Sequence, residues 1–219
     1  MAWAKNVGID VPPIRLGNVT EFLDLPAGIP TGDGTVFLIQ RFDRRLNDER
    51  IHMEDFGQIL DRPPGHGPDG QYSMRYEHIA ALSKLCGADV RKLCERIVFC
   101  VLAGNGDAHL KNWSLIYPDR RNPRLSPAYD LVSTVLYSKL DDCLALDIGQ
   151  SRRYEDVDAE SFNLFARAVD GSQDEIKRWA IHYAYAVRAS WQEHAADFGY
   201  TTGEREKISK HLARVPLGR

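Results

Sequence analysis

A run of nine residues, Gly104-Asn105-Gly106-Asp107-Ala108-His109-Leu110-Lys111-Asn112, concentrates the side chains of this chain that could do chemistry. An apolar stretch (97–103) precedes the run and a β-prone stretch (113–117) follows it, which predicts a tight loop between two buried elements. Polar loops fixed on a rigid scaffold are common sites of catalysis. A second acid, Asp130, follows in Ser126-Pro127-Ala128-Tyr129-Asp130. Together these residues offer a carboxylate that can accept a proton and oxygen atoms that can hold a divalent cation.

The spacing of these residues is the one that phosphoryl transfer requires. An Asp, an Asn five positions later and a further Asp beyond a short β-hairpin match the catalytic and metal loops of protein kinases. In that arrangement Asp107 accepts the proton of the substrate hydroxyl, and Asn112 and Asp130 hold Mg²⁺ on the phosphates of ATP. The pattern alone also fits kinases that act on sugars or lipids. The simpler interpretation of each residue is an Asx turn that satisfies a neighbouring amide.

The bulk composition excludes several classes of protein. The chain has 219 residues, of which 43% are hydrophobic and 27% charged, so it can bury a sizeable core. Its net charge of -3 gives no general case for binding nucleic acid or a membrane surface. The four cysteines form no CxxC pair, which favours buried free thiols over disulfides or a metal site. No apolar run approaches the ~18 residues of a membrane span, and the N-terminus carries no apolar signal region. We therefore expect a cytoplasmic protein.

The hydrophobic patterns divide the chain into a β-rich part and a helical part. Residues 9–51 are mostly strand, and residues 73–219 are mostly helix with one β-insert at the loop described above. These patterns predict an α+β fold in which a large helical lobe is preceded by a fragment of a β-rich lobe. The resemblance described below implies that this fold is protein-kinase-like, with a near-complete helical C-lobe and a truncated, β-rich N-lobe. We assign residues 1–42 to the remnant of the N-lobe and its hinge, and residues 43–219 to the C-lobe.

Local signals place several of the elements more closely. Residues 1–8 have the character of the end of a helix, and Val36 to Ile39 favour a strand. His52 to Leu60 is predicted as a short helix, and Ser73 as the N-cap of a longer one. Further helices are predicted behind four N-cap candidates, which are Asp89, Asp158, Ser172 and either Thr201 or Thr202.

Several stretches, in the right order, resemble the HipA family, the kinase toxins of bacterial toxin–antitoxin modules. The stretches are Asn6–Pro12, Phe37–Arg44, His52–Gln58, Gly104–Ser114 and Leu125–Ser133, which cover most of residues 4–150. The match at the hinge and at His52–Gln58 argues against a small-molecule or lipid kinase, which the catalytic motif alone would leave open.

The resemblance implies a role for each matching residue. Asp107 is the catalytic base, and Asn112 and Asp130 ligate Mg²⁺. Gln40, Arg41 and Phe42 contact the adenine of ATP through the hinge backbone. His109, Lys111 and Tyr129 line the nucleotide pocket. From the residues themselves, His109 is expected to hold the loop by hydrogen bonds, Lys111 either binds a phosphate, stays solvated or pairs with Asp107, and Ser133 and Thr134 are better explained as caps than as phosphorylation sites.

The resemblance also implies partners. The HipA family transfers the γ-phosphoryl group of ATP to serine or threonine residues of proteins, with aminoacyl-tRNA synthetases among its targets, and so causes growth arrest and persistence. A small DNA-binding antitoxin, HipB-like, restrains the toxin, so that DNA is contacted only indirectly. No membrane partner is implied.

One departure from the family pattern leaves an alternative open. Kinase chemistry uses backbone amides over the phosphates and a strand lysine on the α- and β-phosphates. In the family both precede the helix whose end is predicted at residues 1–8, and Lys5 is the only lysine before Lys84. The chain therefore resembles the C-terminal portion of a HipA-like toxin, and the alternative is a catalytically dead remnant that binds an antitoxin. Unpaired β-edges within residues 9–42 predict self-association or pairing with another chain.

Overall fold

The computed structural model describes residues 1–23, 25–26, 28, 32–47 and 49–219. The helices are α1 (Ala2–Asn6), α2 (Phe56–Ile59), α3 (Tyr76–Leu85), α4 (Val90–Leu102), α5 (Asn163–Ala168), α6 (Gln173–His194) and α7 (Thr202–Arg214). The strands are β1 (Ile14–Asn18), β2 (Thr35–Ile39), β3 (His52–Asp55), β4 (Ser114–Tyr117) and β5 (Arg124–Leu125). The Gly/Pro-rich segment between β1 and β2 lies partly outside the described residues.

Helices α4 and α6 form the centre of the helical part. Helix α4 starts where the Asp89 carboxylate accepts hydrogen bonds from the backbone amides of Arg91 and Lys92. Helix α6 starts where the Ser172 hydroxyl accepts from the amide of Glu175. The last seven residues of α4, from 96 to 102, are all buried, so that this helix is enclosed on every side as it ends. Helix α4 therefore delivers residue 103 into the interior of the molecule.

The short helix α1 is held by side chains of the helical part. The Trp3 ring is 2% exposed and lies 5.2 Å from the ring of Phe99 and 4.6 Å from that of Trp191, measured between centroids. The Tyr183 hydroxyl donates to the carbonyl of Val7, and helix α1 ends at Gly8, whose φ is +84°. The end of a helix predicted at residues 1–8 is present in the structure as the short helix α1. Tertiary packing stabilises it, since five residues are too few for an isolated helix.

The C-terminal end of the chain is held by one arginine of α6. The Arg188 guanidinium donates hydrogen bonds to the carbonyl oxygens of Leu212, Val215 and Leu217. Burial lowers the pKa of Arg188 below its ordinary value, and these carbonyls replace the water that the cation loses. Residues 212–217 are in this way fixed against α6.

Strands β1 and β2 form a two-stranded antiparallel sheet with one exposed apolar face. The register pairs Ile14 with Ile39 and Leu16 with Phe37, so these four side chains lie on the same face. Leu16, Phe37 and Ile39 are 70%, 55% and 40% exposed. The second sheet, in the order β3–β4–β5, carries the chain out of the candidate catalytic loop.

Several local predictions differ from the structure. The helix predicted behind Asp158 begins only at Asn163, and the Asp158 carboxylate instead accepts from the amide of Ser161 in a short turn before it. The stretch predicted as a helix from His52 to Leu60 is a strand, β3, followed by the one-turn helix α2. Strand β3 pairs with β4, and Asp55 and Gln58 form a reciprocal capping box at the junction, so α2 starts four residues later than the sequence suggests. The N-cap of α3 is Arg75 rather than Ser73, because the Ser73 hydroxyl donates to the carbonyl of Gly70 in the preceding turn.

Within the described ranges, none of the helices combines the length and the apolar character that crossing a bilayer requires.

Replacing Trp3 with Ala should destabilise the fold. The substitution removes a fully buried indole from between two aromatic rings and leaves a cavity, which typically costs about 3–5 kcal/mol. Urea unfolding, followed by circular dichroism of the backbone rather than by tryptophan fluorescence, measures this loss in the free energy of unfolding. Leu85→Ala is the matched control, since Leu85 is 82% exposed and should change stability by no more than about 0.5 kcal/mol. Equal stabilities of the two variants would contradict the packing described for α1.

Candidate active site

The candidate catalytic loop begins directly behind α4. The chain reverses at Gly104, whose φ is +67°, and a side chain at this position would collide with Val135. The next amide, that of Asn105, donates to the carbonyl of Cys100 at 2.9 Å. Asn105 is 2% exposed, so the loop starts inside the protein rather than on its surface.

Two asparagine side chains hold the backbone of Asp107 from both sides. Its N–H donates to Oδ1 of Asn105 at 3.1 Å, and its carbonyl accepts from Nδ2 of Asn112 at 2.7 Å. The same carbonyl also accepts from the backbone N–H of His109 at 2.8 Å. The side chain of Asp107 is nevertheless 51% exposed. A carboxylate on a fixed backbone that is open to solvent meets the geometric requirement for a general base.

The hydrogen bond from Asn112 also decides which of its amide atoms is free. A backbone carbonyl can only accept, so the atom that faces it must be the NH₂ group of Asn112. The oxygen Oδ1 of Asn112 therefore points away from Asp107 and is available as a ligand.

A loop that precedes α3 contributes a side chain to the same carboxylate. The Tyr72 hydroxyl donates to Oδ1 of Asp107 at 2.8 Å, and the carbonyl of Gln71 accepts from the amide of Leu110 at 3.3 Å. These two contacts join residues 71–72 to the candidate catalytic loop. These contacts could not be predicted from the sequence, because each joins residues that are distant in the chain. Tyr72 and Asp107 lie 35 residues apart.

His109 stabilises the loop in a different way from that predicted. Its ring meets the ring of Tyr72 edge-on, with 4.9 Å between the centroids, and its Nε2 lies 4.0 Å from Oδ1 of Asp107. Its buried Nδ1 has no hydrogen-bond partner in the described part of the chain. Ring packing, rather than the predicted hydrogen bonding, therefore places His109.

Lys111 pairs with a carboxylate other than that of Asp107. Its Nζ lies 3.3 Å from Oδ2 of Asp55, while Oδ1 of Asp55 accepts from the amide of Gln58 and caps α2. The sequence left open a phosphate contact, solvation or a pair with Asp107. Instead, Lys111 joins the candidate catalytic loop to the β3–α2 junction.

Tyr129 joins the second loop, which carries Asp130, to the first. Its hydroxyl donates to the carbonyl of Lys111 at 2.7 Å and lies 2.5 Å from the hydroxyl of Ser114. Burial raises the pKa of Tyr129 to about 12, so it remains a donor at neutral pH. The adjacent Asp130 is exposed and has a φ of +53°, a left-handed conformation that Asp tolerates better than most residues. Asp130 follows Tyr129 and Asn112 follows Lys111, so this hydrogen bond links the residues that precede the two predicted metal ligands.

Thr134 makes a further connection between the two loops. Its hydroxyl oxygen accepts from the amide of Gly106 at 2.7 Å and donates to the carbonyl of Gly104 at 3.0 Å. Thr134 is thus a cap, as its sequence position suggests, but it caps a segment 28 residues earlier. It fixes the turn from which Asp107 projects.

A buried arginine supports the stem of the second loop. Arg96, on α4, donates to the carbonyl of Ser126 at 2.5 Å, and its guanidinium lies 5.9 Å from the centre of the Trp113 ring. Burial lowers the pKa of Arg96 to about 10, which still leaves it charged at neutral pH. The amide of Ala128 donates to the carbonyl of Asp10 at 2.7 Å. The stem is therefore held both by Arg96 of α4 and by the segment that follows α1.

The predicted hinge continues from β2 toward Tyr129. The amide of Gln40 donates to the carbonyl of Pro13, which extends the β1–β2 pairing by one residue. The Arg41 guanidinium makes two hydrogen bonds with the carboxylate of Asp43 and thereby lowers the pKa of this carboxyl below its ordinary value. The Phe42 ring lies 5.7 Å from the ring of Tyr129. Arg41 and Arg44 form ion pairs with Asp43, and Arg45 forms one with Glu49.

The two predicted metal ligands have the chemistry that Mg²⁺ prefers. In the described ranges, no three His, Cys, Asp or Glu side chains converge to hold a metal by themselves. Mg²⁺ in nucleotide sites is usually held by only one or two protein groups, together with phosphates and water. The free Oδ1 of Asn112 and the exposed carboxylate of Asp130 fit this pattern. The site accordingly suits a cation that a nucleotide brings with it.

A buried histidine of α7 supports the far end of α4. His211 is 3% exposed, and its Nε2 lies 2.8 Å from the carbonyl oxygen of Val101, three residues before Gly104, where the loop begins. Because Arg214 donates to Nδ1, the ring must carry its proton on Nε2 and donate to that carbonyl. Burial lowers the pKa of His211 to about 4.

Comparison with known proteins places this fold and site in a family. The profile of the family described as "HipA-like C-terminal domain" matches residues 1–191. The chain therefore belongs to the HipA-like C-terminal domain family, as the motifs predicted.

Two relatives from Sinorhizobium fredii (strain NBRC 101917 / NGR234) illustrate the likeness. "Putative kinase Y4dM" is 34% identical over 220 residues, which is all of this chain and 53% of that protein. "Putative kinase Y4mE" is 33% identical over 177 residues, which is 76% of this chain and 39% of that protein. A "Putative kinase" of Haemophilus influenzae (strain ATCC 51907 / DSM 11121 / KW20 / Rd) is 33% identical over 143 residues and matched over 40% of its length. The chain spans about half or less of the length of these relatives.

A solved structure confirms the similarity of fold. The chain resembles a protein in the Shewanella oneidensis MR-1 toxin–antitoxin complex of HipA, HipB and operator DNA, with a TM-score of 0.70 and 22% identity. The match covers 98% of this chain and 53% of the other. The kinase-like mixed fold predicted from the sequence is thereby confirmed at the level of overall architecture. The truncated N-lobe and the boundary at residue 42 stay predictions.

The His211 pKa predicts a specific acid sensitivity. As pH falls below about 6.5, the unfolded chain protonates this histidine while the folded protein does not, so stability is lost as pH falls from 6.5 toward 4. The loss should reach roughly 2 kcal/mol at pH 5. Urea unfolding at several pH values should show this slope in the wild type and not in His211→Gln. His182→Gln, at an exposed histidine of α6, is the control and should keep the wild-type slope; parallel curves for all three proteins would contradict the assignment.

Proposed function

We propose that this chain is the catalytic C-terminal portion of a HipA-like serine/threonine-protein kinase toxin, which transfers the γ-phosphoryl group of ATP to a protein hydroxyl. The observation that carries the proposal is the Asp107–Asn112 unit. Asn112 Nδ2 holds the backbone of a half-exposed carboxylate at 2.7 Å and leaves its own oxygen free. One residue can thus serve as base while its neighbour serves as metal ligand.

In the proposed reaction each residue has a separate task. The Asp107 carboxylate orients the acceptor hydroxyl and takes its proton, while the phosphoryl group passes to the acceptor oxygen and ADP leaves. Asn112 and Asp130 would hold Mg²⁺, which would neutralise charge on the phosphates. Gln40, Arg41 and Phe42 receive the adenine along the hinge, and His109, Lys111 and Tyr129 line the pocket. Since Lys111 is paired with Asp55, its contribution is to keep the pocket wall in place.

The proposed partners follow from the family. The solved neighbour is in complex with HipB and operator DNA. We extend this to a HipB-like antitoxin for the present chain, with DNA contacted through the antitoxin, and to a cytoplasmic protein substrate such as an aminoacyl-tRNA synthetase. The acceptor itself has to be found by experiment.

The alternative is a binding module without catalysis. It is favoured by one observation, namely that Lys5 lies on α1 and that β1 and β2 contain no lysine to contact the α- and β-phosphates. Such a protein would keep the antitoxin-binding surface of its family and fail to position ATP. Nucleotide binding separates the two proposals.

The first test is calorimetric titration with Mg-ATP. The wild type should bind, and Asp130→Asn should weaken binding at least about tenfold, because it removes the charged ligand of the cation. Asp141→Asn, at an exposed acid of the following segment, is the matched control and should bind like the wild type. Absence of binding by the wild type would reject the kinase proposal in favour of the binding module.

The same preparations test the base. Asp107→Asn keeps the shape of the side chain and should leave Mg-ATP binding unchanged, while phosphoryl transfer falls by a factor on the order of 10²–10⁴. Transfer to dephosphorylated casein, used as a general protein acceptor, measures this loss.

The exposed face of the β1–β2 sheet predicts self-association. Leu16, Phe37 and Ile39 present adjacent apolar side chains to solvent, and a sheet of two strands has two open edges. Sedimentation velocity over a range of concentrations should show association in the wild type and less in Phe37→Ser. Leu85→Ser, at an isolated exposed leucine on α3, should associate like the wild type. A wild-type monomer at all concentrations would contradict the prediction.

A further inference from the structure

Tyr72 lies outside the two motif loops and touches the proposed base. Its hydroxyl donates to Oδ1 of Asp107 at 2.8 Å. Among the described residues, no other side chain donates to this carboxylate within hydrogen-bond distance, since Lys111 is engaged by Asp55 and Nε2 of His109 lies 4.0 Å away. One oxygen of the base is therefore occupied and the other, Oδ2, is open.

The tyrosine is held firmly where it makes this contact. The ring of His66 stacks on it with 4.4 Å between centroids and only 6° between planes. The ring of His109 meets it edge-on, and the Gln71–Leu110 backbone hydrogen bond fixes the preceding residue. Burial, and then the contact with Asp107, raise the pKa of Tyr72, so its hydroxyl keeps its proton and remains a donor at neutral pH.

A held donor on one oxygen changes what the carboxylate can do. A carboxylate that is free to rotate can present either oxygen to an acceptor, and the productive orientation is then only one of several. With Oδ1 bound to Tyr72, this rotation is restricted, and Oδ2 is the oxygen of Asp107 that receives no hydrogen bond from the described residues. An acceptor hydroxyl must approach this oxygen.

We propose that Tyr72 is a positioning residue of the acceptor site, which assigns Oδ2 of Asp107 to the acceptor hydroxyl and, with His66 stacked on it, forms one wall of the path to that oxygen. This inference rests on the proposed kinase function and deepens it. The proton of the acceptor moves to Oδ2 as its oxygen bonds to the γ-phosphorus and ADP leaves, while the Tyr72 proton stays on its own oxygen throughout.

The contact itself is tested without any turnover. Tyrosine labelled with ¹³C at the ζ carbon gives an NMR titration of the Tyr72 phenol in the intact chain. The Tyr72 pKa should lie above that of an exposed tyrosine in the wild type and should fall in Asp107→Asn, where the negative neighbour is absent. An unperturbed Tyr72 in both proteins would overturn the proposal.

The role is tested by comparing Tyr72→Phe with the wild type. Loss of one hydrogen bond to a charged group should lower the kcat for transfer to dephosphorylated casein about 10- to 100-fold. The Kd for Mg-ATP should not change, because phenylalanine keeps the ring packing against His109 and only the hydroxyl bond to Asp107 is lost. Tyr185→Phe, at an exposed tyrosine of α6, is the matched control and should leave both values as they are.

The outcomes separate this inference from the function on which it rests. An inactive wild type would reject the kinase proposal and this inference with it. An active wild type with equally active Tyr72→Phe would reject the inference alone. A faster Tyr72→Phe would also overturn it, since the hydroxyl would then be blocking the base instead of positioning it.

Discussion

The arrangement of the whole site depends on the two hydrogen bonds that asparagine side chains make to the backbone of Asp107. Asn105 accepts from its amide and Asn112 donates to its carbonyl, so the residue is fixed without any use of its own carboxylate. Asn105 can do this only because it is buried at the end of α4, a helix enclosed by the rest of the helical part. The buried core thereby holds in place a residue, Asp107, whose carboxylate is open to solvent.

The second loop depends on the first through side chains that bind backbone atoms. Tyr129 and Thr134 attach it to the carbonyls and amides of the catalytic loop, and Arg96 supports its stem from α4. Each of these bonds joins positions that are distant in sequence. Because the contacts are to the backbone, they fix the positions of Asp130 and Asn112 while leaving the Asp130 carboxylate and Oδ1 of Asn112 for ligands.

Features that depend on neighbouring residues could be predicted from the sequence. The caps at Asp89, Ser172 and Thr201 act within three residues, and the Asp107–Asn112 spacing lies within one loop, so both were visible in the pattern of residue types. The family followed from the order of such stretches. The strand β3 was missed because its pairing with β4 overrides a local preference that the sequence alone expresses. Tyr72 was missed for a related reason, since nothing within its own segment indicates that it meets Asp107.

The left-handed backbone of Asp130 restricts this position more than its proposed chemistry does. A ligand for a cation could in principle be Asp, Glu, Asn or Gln, whereas a residue with a φ of +53° is best provided by Gly, Asn or Asp. Only Asp and Asn satisfy both demands, and only Asp brings a charge. A codon for aspartate can reach one for asparagine by a single base change, so under the proposed chemistry one mutation would remove the charge at this position and keep its backbone conformation.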